Sequence, residues 1–77
     1  MNVALIGSGS WGTAVAGLAA ARAERVTMWA HSKQTAAGIN GEHRNPRYLA
    51  DYELPGNVVA TTDLAQALDD ADAIIFA

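Results

Sequence analysis

Three glycines at a fixed spacing, Gly7, Gly9 and Gly12, stand between an apolar run and an alanine-rich stretch, and no other feature restricts the fold as strongly. Ahead of them, Val3-Ala4-Leu5-Ile6 is apolar without a break, which suits a short strand buried on both faces of a parallel sheet. Behind them, Trp11, Ala14, Val15, Leu18 and Ala19 recur at i, i+3, i+4, i+7 and i+8, one stripe of a helix running to about Arg22. Ser10 stands where an N-cap would, and Ala16, Gly17 and Ala20 are small enough to let this helix approach a sheet closely. Strand, glycine turn and helix form a mechanical unit. The first glycine turns the chain sharply off the strand, the second lets backbone lie against a diphosphate, and the third permits close helix–strand packing.

The rest of the chain repeats the alternation. Val26–Ala30 reads as a second strand, and Ser32 caps a short helix through about Ile39, weakened by Gly38 and ended near Gly41. Residues 41–56 hold both prolines and read mostly as loop. Val58–Thr61 is a third strand. Thr62 or Asp63 opens a helix with Leu64, Ala67, Leu68 and Ala71 on one face, and Ala73–Ala77 is a fourth buried strand. This order predicts an α/β fold, a partial Rossmann-type doubly wound parallel sheet (βαβαβαβ) with right-handed crossovers. Residues 1–77 are expected to form an incomplete dinucleotide-binding domain, since such sheets continue past a fourth strand.

Composition limits the classes open to such a chain. It is 51% hydrophobic, but seventeen of those residues are alanine, so few large side chains are available for a core. Ordering a backbone costs roughly 1–2 kcal/mol per residue, which makes 77 residues marginal alone, and with no cysteine neither disulfides nor thiolate metal sites can help. The longest apolar stretch, Ala14–Ala21, is far below the ~20 residues of a membrane span, and no secretory pattern opens the chain. A cytoplasmic setting without membrane association is therefore expected. All five basic residues lie within 1–50 and six of eight acidic ones within 51–77. Five cations are too few for a nucleic-acid surface, so no nucleic-acid partner is expected, although the basic half suits a small phosphorylated ligand.

Gly7-x-Gly9-x-x-Gly12, after a strand and at the mouth of a helix, matches the dinucleotide fingerprint; the alternative is a tight turn that binds nothing. A nucleoside-triphosphate P-loop is rejected, because Thr13-Ala14 stands where Lys-Ser/Thr must follow the second glycine. Cofactor preference is read at the end of the second strand, where an NAD site places a carboxylate for the ribose hydroxyls. Ala30-His31-Ser32-Lys33 has none, and His31, Ser32 and Lys33 can all donate to a 2′-phosphate. NADP (as NADPH) is expected to be accepted, with NAD as the second cofactor. His43 has no partners at metal-ligand spacing, and Asp69, Asp70 and Asp72 read as a polar helix end, so no metal site is expected. No residue set argues for a proton-transfer catalyst, and no catalytic residue is assigned.

Gly7-Ser8-Gly9-Ser10-Trp11-Gly12-Thr13-Ala14 resembles the amino-terminal signature of bacterial-type NAD(P)-dependent glycerol-3-phosphate dehydrogenases. Met28-Trp29-Ala30-His31, Asn45-Pro46-Arg47-Tyr48-Leu49, Leu54-Pro55 and Ala60-Thr61-Thr62-Asp63-Leu64 follow in that family's order. The resemblance implies interconversion of dihydroxyacetone phosphate and sn-glycerol 3-phosphate in phospholipid precursor synthesis. It also implies a helical substrate domain beyond this chain and a cytoplasmic homodimer when complete. Ser10 and Trp11 would contact the cofactor, His31 would lie by the adenine ribose, and Tyr48 would line the site. The family's catalytic lysines have no counterpart here. The chain departs from the family at Ala50, commonly proline, and at Ala23-Glu24, commonly Gly-His, where a different turn is expected. Two other readings stay open: a nucleotide-binding or subunit-interaction fragment without catalysis, and the front half of a 6-phosphogluconate- or ketopantoate-reducing enzyme.

Overall fold

The computed structural model describes all 77 residues. Its elements are β1 (Asn2–Ile6), α1 (Ser10–Ala20), β2 (Arg25–Trp29), α2 (Lys33–Glu42), β3 (Val58–Thr61), α3 (Leu64–Leu68) and β4 (Ala73–Phe76). The four strands form one parallel sheet in the order β3-β2-β1-β4, with Ile6 level with Trp29 and Phe76, and Trp29 level with Thr61. All carboxyl ends therefore reach the same border, and the order reverses beside β1, where α/β sheets of this kind bind ligands.

One face of the sheet carries the core. Val3, Leu5, Val26, Met28, Val58 and Ala60 alternate along their strands and pack with Ala16 and Ala20 of α1, Ala36 and Ile39 of α2, and Leu54 from the following loop. The opposite face, through Ala4, Thr27, Val59 and Ile74, is covered by α3 only in part. α3 is one and a half turns long and buries Ala67 alone, leaving Leu64 and Leu68 exposed. β4 is correspondingly not the buried strand expected from its run of apolar residues. Ile74 and Phe76 are 50% and 80% exposed, because nothing packs on their side of β4. No helix is long and apolar enough to cross a membrane.

The rotation of α1 also differs from the apolar stripe in the sequence. Gly12, Thr13, Ala16 and Ala20 face the sheet, Val15 and Ala19 flank them, and Trp11 and Leu18 are 72% and 75% exposed. Closest approach decides this. A Cβ on Gly12 would stand 3.2 Å from the Gly7 carbonyl carbon, so only the smallest side chains fit that face and the large ones turn outward. Gly17 faces away from the sheet, and its missing Cβ is the space taken by the Tyr52 ring.

Helix ends follow local chemistry. The N-cap of α1 is Gly9 rather than Ser10, with no side-chain acceptor on the first-turn amides. Ser32 Oγ accepts from the amides of Gln34 and Thr35 at the start of α2, and Asp63 Oδ1 accepts from those of Ala65 and Gln66 at α3. Past α1, Ala23 avoids the left-handed region, and Asn57 Nδ2 donates to the carbonyls of Ala20 and Ala23 instead. α2 continues through Gly41 to Glu42 and is closed by left-handed His43, φ 58°. Asp72, expected to be only part of a polar helix end, accepts from the Asn2 amide at 2.7 Å and so ties β4 to the start of β1.

Candidate functional site

Glycine chemistry shapes the border at the carboxyl end of β1. Gly7 has φ 143°, and a Cβ there would meet the Ala77 carbonyl oxygen at 2.5 Å, so the chain can turn off β1 only without a side chain. At Gly9 the backbone is ordinary (φ −76°, ψ −169°), yet a Cβ would have nothing within 4 Å. Its missing side chain opens onto a cleft rather than into packing. α1 starts at this point with no acidic residue in its first turn, so its positive end is uncompensated.

The cleft has a volume of about 240 Å³ and is walled by three segments. Gly7, Ser8 and Gly9 line it from the glycine turn, His31, Ser32 and Thr35 from the chain after β2, and Arg47 and Tyr48 from the loop after α2, together with Ala77. No acidic side chain is among them. A larger depression of about 440 Å³ runs between β3 and α3 past Arg25, Asp69 and Asp70. It lies away from the switch beside β1, so the smaller cleft is the candidate ligand site.

Of the residues singled out in the sequence, Gly7, Gly9, His31, Ser32 and Tyr48 come together here. Gly12 lies beneath the turn, packed on Gly7. Ser10 and Trp11 form the exposed first turn of α1, next to the cleft floor but outside its lining. Lys33, the first residue of α2, is also exposed and outside the lining. The His31 ring meets the Trp29 ring edge-on at 4.5 Å between centroids, and Trp29 Nε1 donates to the Thr62 carbonyl at 3.0 Å. The residue at the end of β2 thus has a fixed aromatic neighbour.

Two residues of the long loop carry the site and were not assigned to it from sequence. Asn45 is fully buried. Its Nδ2 donates to the Ser8 carbonyl at 2.7 Å and to Thr13 Oγ1 at 2.9 Å, while its Oδ1 accepts from the amides of Arg47 at 3.0 Å and Tyr48 at 3.2 Å. One side chain therefore joins the glycine turn, the first helix and the far wall. The Asn-Pro pair was the available signal, since asparagine at such a position bonds the amide two residues on. Arg47, held by that bond, extends past the Tyr48 ring with its Cζ 6.0 Å from the centroid.

Comparison with known proteins agrees with this geometry. The family model described as the N-terminus of NAD-dependent glycerol-3-phosphate dehydrogenase matches residues 2–77. A glycerol-3-phosphate dehydrogenase (NAD(P)+) of Corynebacterium aurimucosum is 45% identical over 75 residues, which are 97% of this chain and 23% of that protein. The solved glycerol-3-phosphate dehydrogenase of Saccharomyces cerevisiae superposes with a TM-score of 0.92 at 34% identity, over 100% of this chain and 26% of that one. That of Coxiella burnetii superposes at 0.86 with 32% identity, over 97% and 23%. The chain spans about a quarter of the length of these relatives. With the sheet order, the glycine turn and the matched residues in agreement, the chain belongs to the family of NAD-dependent glycerol-3-phosphate dehydrogenase N-terminal domains.

Proposed function

We propose that this chain is the cofactor-binding front portion of a cytoplasmic oxidoreductase that interconverts dihydroxyacetone phosphate and sn-glycerol 3-phosphate with NAD(P)H. The product would supply glycerophospholipid synthesis, and the complete enzyme would be a homodimer. The observation that carries the reading is the open space at Gly9 in front of the uncapped start of α1. A diphosphate can lie against bare backbone there and accept from the first-turn amides. The residues present fit a dinucleotide: Gly7, Ser8, Gly9 and Ser10 would hold the diphosphate, with Trp11 beside it and Gly12 keeping the helix close. His31, Ser32 and Tyr48 would surround the adenosine half, with Lys33 exposed beyond them.

When bound, the nicotinamide supplies the hydride chemistry, and this chain's task is to bind and orient it. No residue of the cleft is arranged to move a proton. Lys33, the one lysine, stands outside it. Binding and turnover therefore separate in the test. Titration of NADPH and NADH into the chain, followed by fluorescence of Trp11 and Trp29, is expected to saturate for both, without any oxidation of NADPH upon addition of dihydroxyacetone phosphate. A folded chain that binds neither cofactor refutes the reading, and substrate-dependent oxidation by the chain alone refutes the assignment of catalysis to residues elsewhere.

A further inference from the structure

The sequence suggests Lys33, His31 and Ser32 as donors to a cofactor 2′-phosphate, but in the structure the cation at that wall is a different one. Lys33 lies outside the cleft, whereas Arg47 lines it together with Ser32 and Thr35. We infer that Arg47 is the specificity-determining residue by which this chain distinguishes a phosphorylated adenosine ribose from a free one. The inference rests on the dinucleotide reading above.

Four observations support it. Residues 31–35 follow β2, where this fold meets the ribose 2′ position, and Arg47 is the one guanidinium or ammonium group in the same cleft. The loop's two arginines have divided tasks. Arg44 pairs with Glu53 at 3.6 Å and donates to the Ala50 carbonyl at 3.2 Å, while Arg47 pairs with no carboxylate and keeps its charge for a ligand. The backbone of Arg47 is also anchored, through buried Asn45, to the glycine turn itself, so the base of the arginine side chain is held in register with the phosphate cradle. Finally, no acidic residue lines the cleft to repel a 2′-phosphate or to hold free ribose hydroxyls. A planar guanidinium matches phosphate with two parallel donors and stays charged at any working pH.

The test separates the 2′-phosphate of NADPH from its diphosphate. Dissociation constants of NADPH, NADH, 2′,5′-ADP and ADP are measured by calorimetry on the unaltered chain, on Arg47→Gln and on Arg47→Lys, each checked for folding by circular dichroism. Arg47→Gln is expected to weaken NADPH and 2′,5′-ADP about ten- to thirtyfold, the loss of one charge-assisted contact, and to leave NADH and ADP within about twofold. Arg47→Lys is expected to fall between. Equal weakening of ADP and 2′,5′-ADP would assign Arg47 to the diphosphate and overturn the inference, as would no change in either. Failure of the unaltered chain to bind any of the four would instead overturn the cofactor reading on which it rests.

Discussion

Asn45→Ala is the substitution that most directly probes how the cleft is built. It removes two accepted and two donated bonds of a side chain with no solvent exposure. At about 0.5–1.5 kcal/mol net per bond, with water replacing part of the loss at the loop side, a cost of about 2–4 kcal/mol follows. Against a total stability of roughly 0.05–0.15 kcal/mol per residue, that is a large share for 77 residues. The assay is urea unfolding followed by tryptophan fluorescence, with NADPH affinity measured below the transition. Asn45→Asp refines it. The carboxylate keeps the acceptor for the Arg47 and Tyr48 amides but faces the Ser8 carbonyl without a donor. Asn45→Asp is therefore expected to destabilise as well, because the Ser8 carbonyl loses its donor at a side chain with no solvent exposure. Asn45→Ala melting and binding like the unaltered chain, or Asn45→Asp melting like it, would refute the view that this side chain joins the turn to the far wall.

Two further substitutions separate stability from binding. Gly9→Ala places a methyl in open space on permissive backbone, so the melting transition is expected to move by less than about 1 kcal/mol while cofactor affinity falls at least tenfold; unchanged affinity would remove the diphosphate from Gly9. Gly17→Ala gains helix propensity worth ~1 kcal/mol but collides with the Tyr52 ring, so it is expected to destabilise alone and to stabilise in a Tyr52→Ala background. The same sign in both backgrounds, read from urea midpoints, would show that the ring moves aside freely.

Local rules were enough for the elements. Apolar runs at Val3–Ile6 and Val58–Ala60, Ser32 and Asp63 as caps and glycines at three spaced positions each report on their own few residues, and these features appear in the structure. The cleft floor and its β2 wall were legible for the same reason, since strand order places Gly7 and His31 on one border once the sheet is parallel. Periodicity could not give the rotation of α1. An alanine-rich helix presents several nearly equivalent apolar stripes, and the choice is made by the contact of Gly12 with Gly7 at the end of β1. Nor could it show that Ile74 and Phe76 have an open side, which depends on how far α3 reaches.

The far wall was decided only in three dimensions. Asn45 and Arg47 are separated from the glycine turn by more than thirty residues, and a loop shows no period from which their inward direction could be read. Sequence alone thus determined the glycine turn, because its chemistry is that of bare backbone and short range. Tertiary structure decided which cation lines the same cleft, because the loop that bears it is held there by long-range closure of a buried hydrogen-bond network.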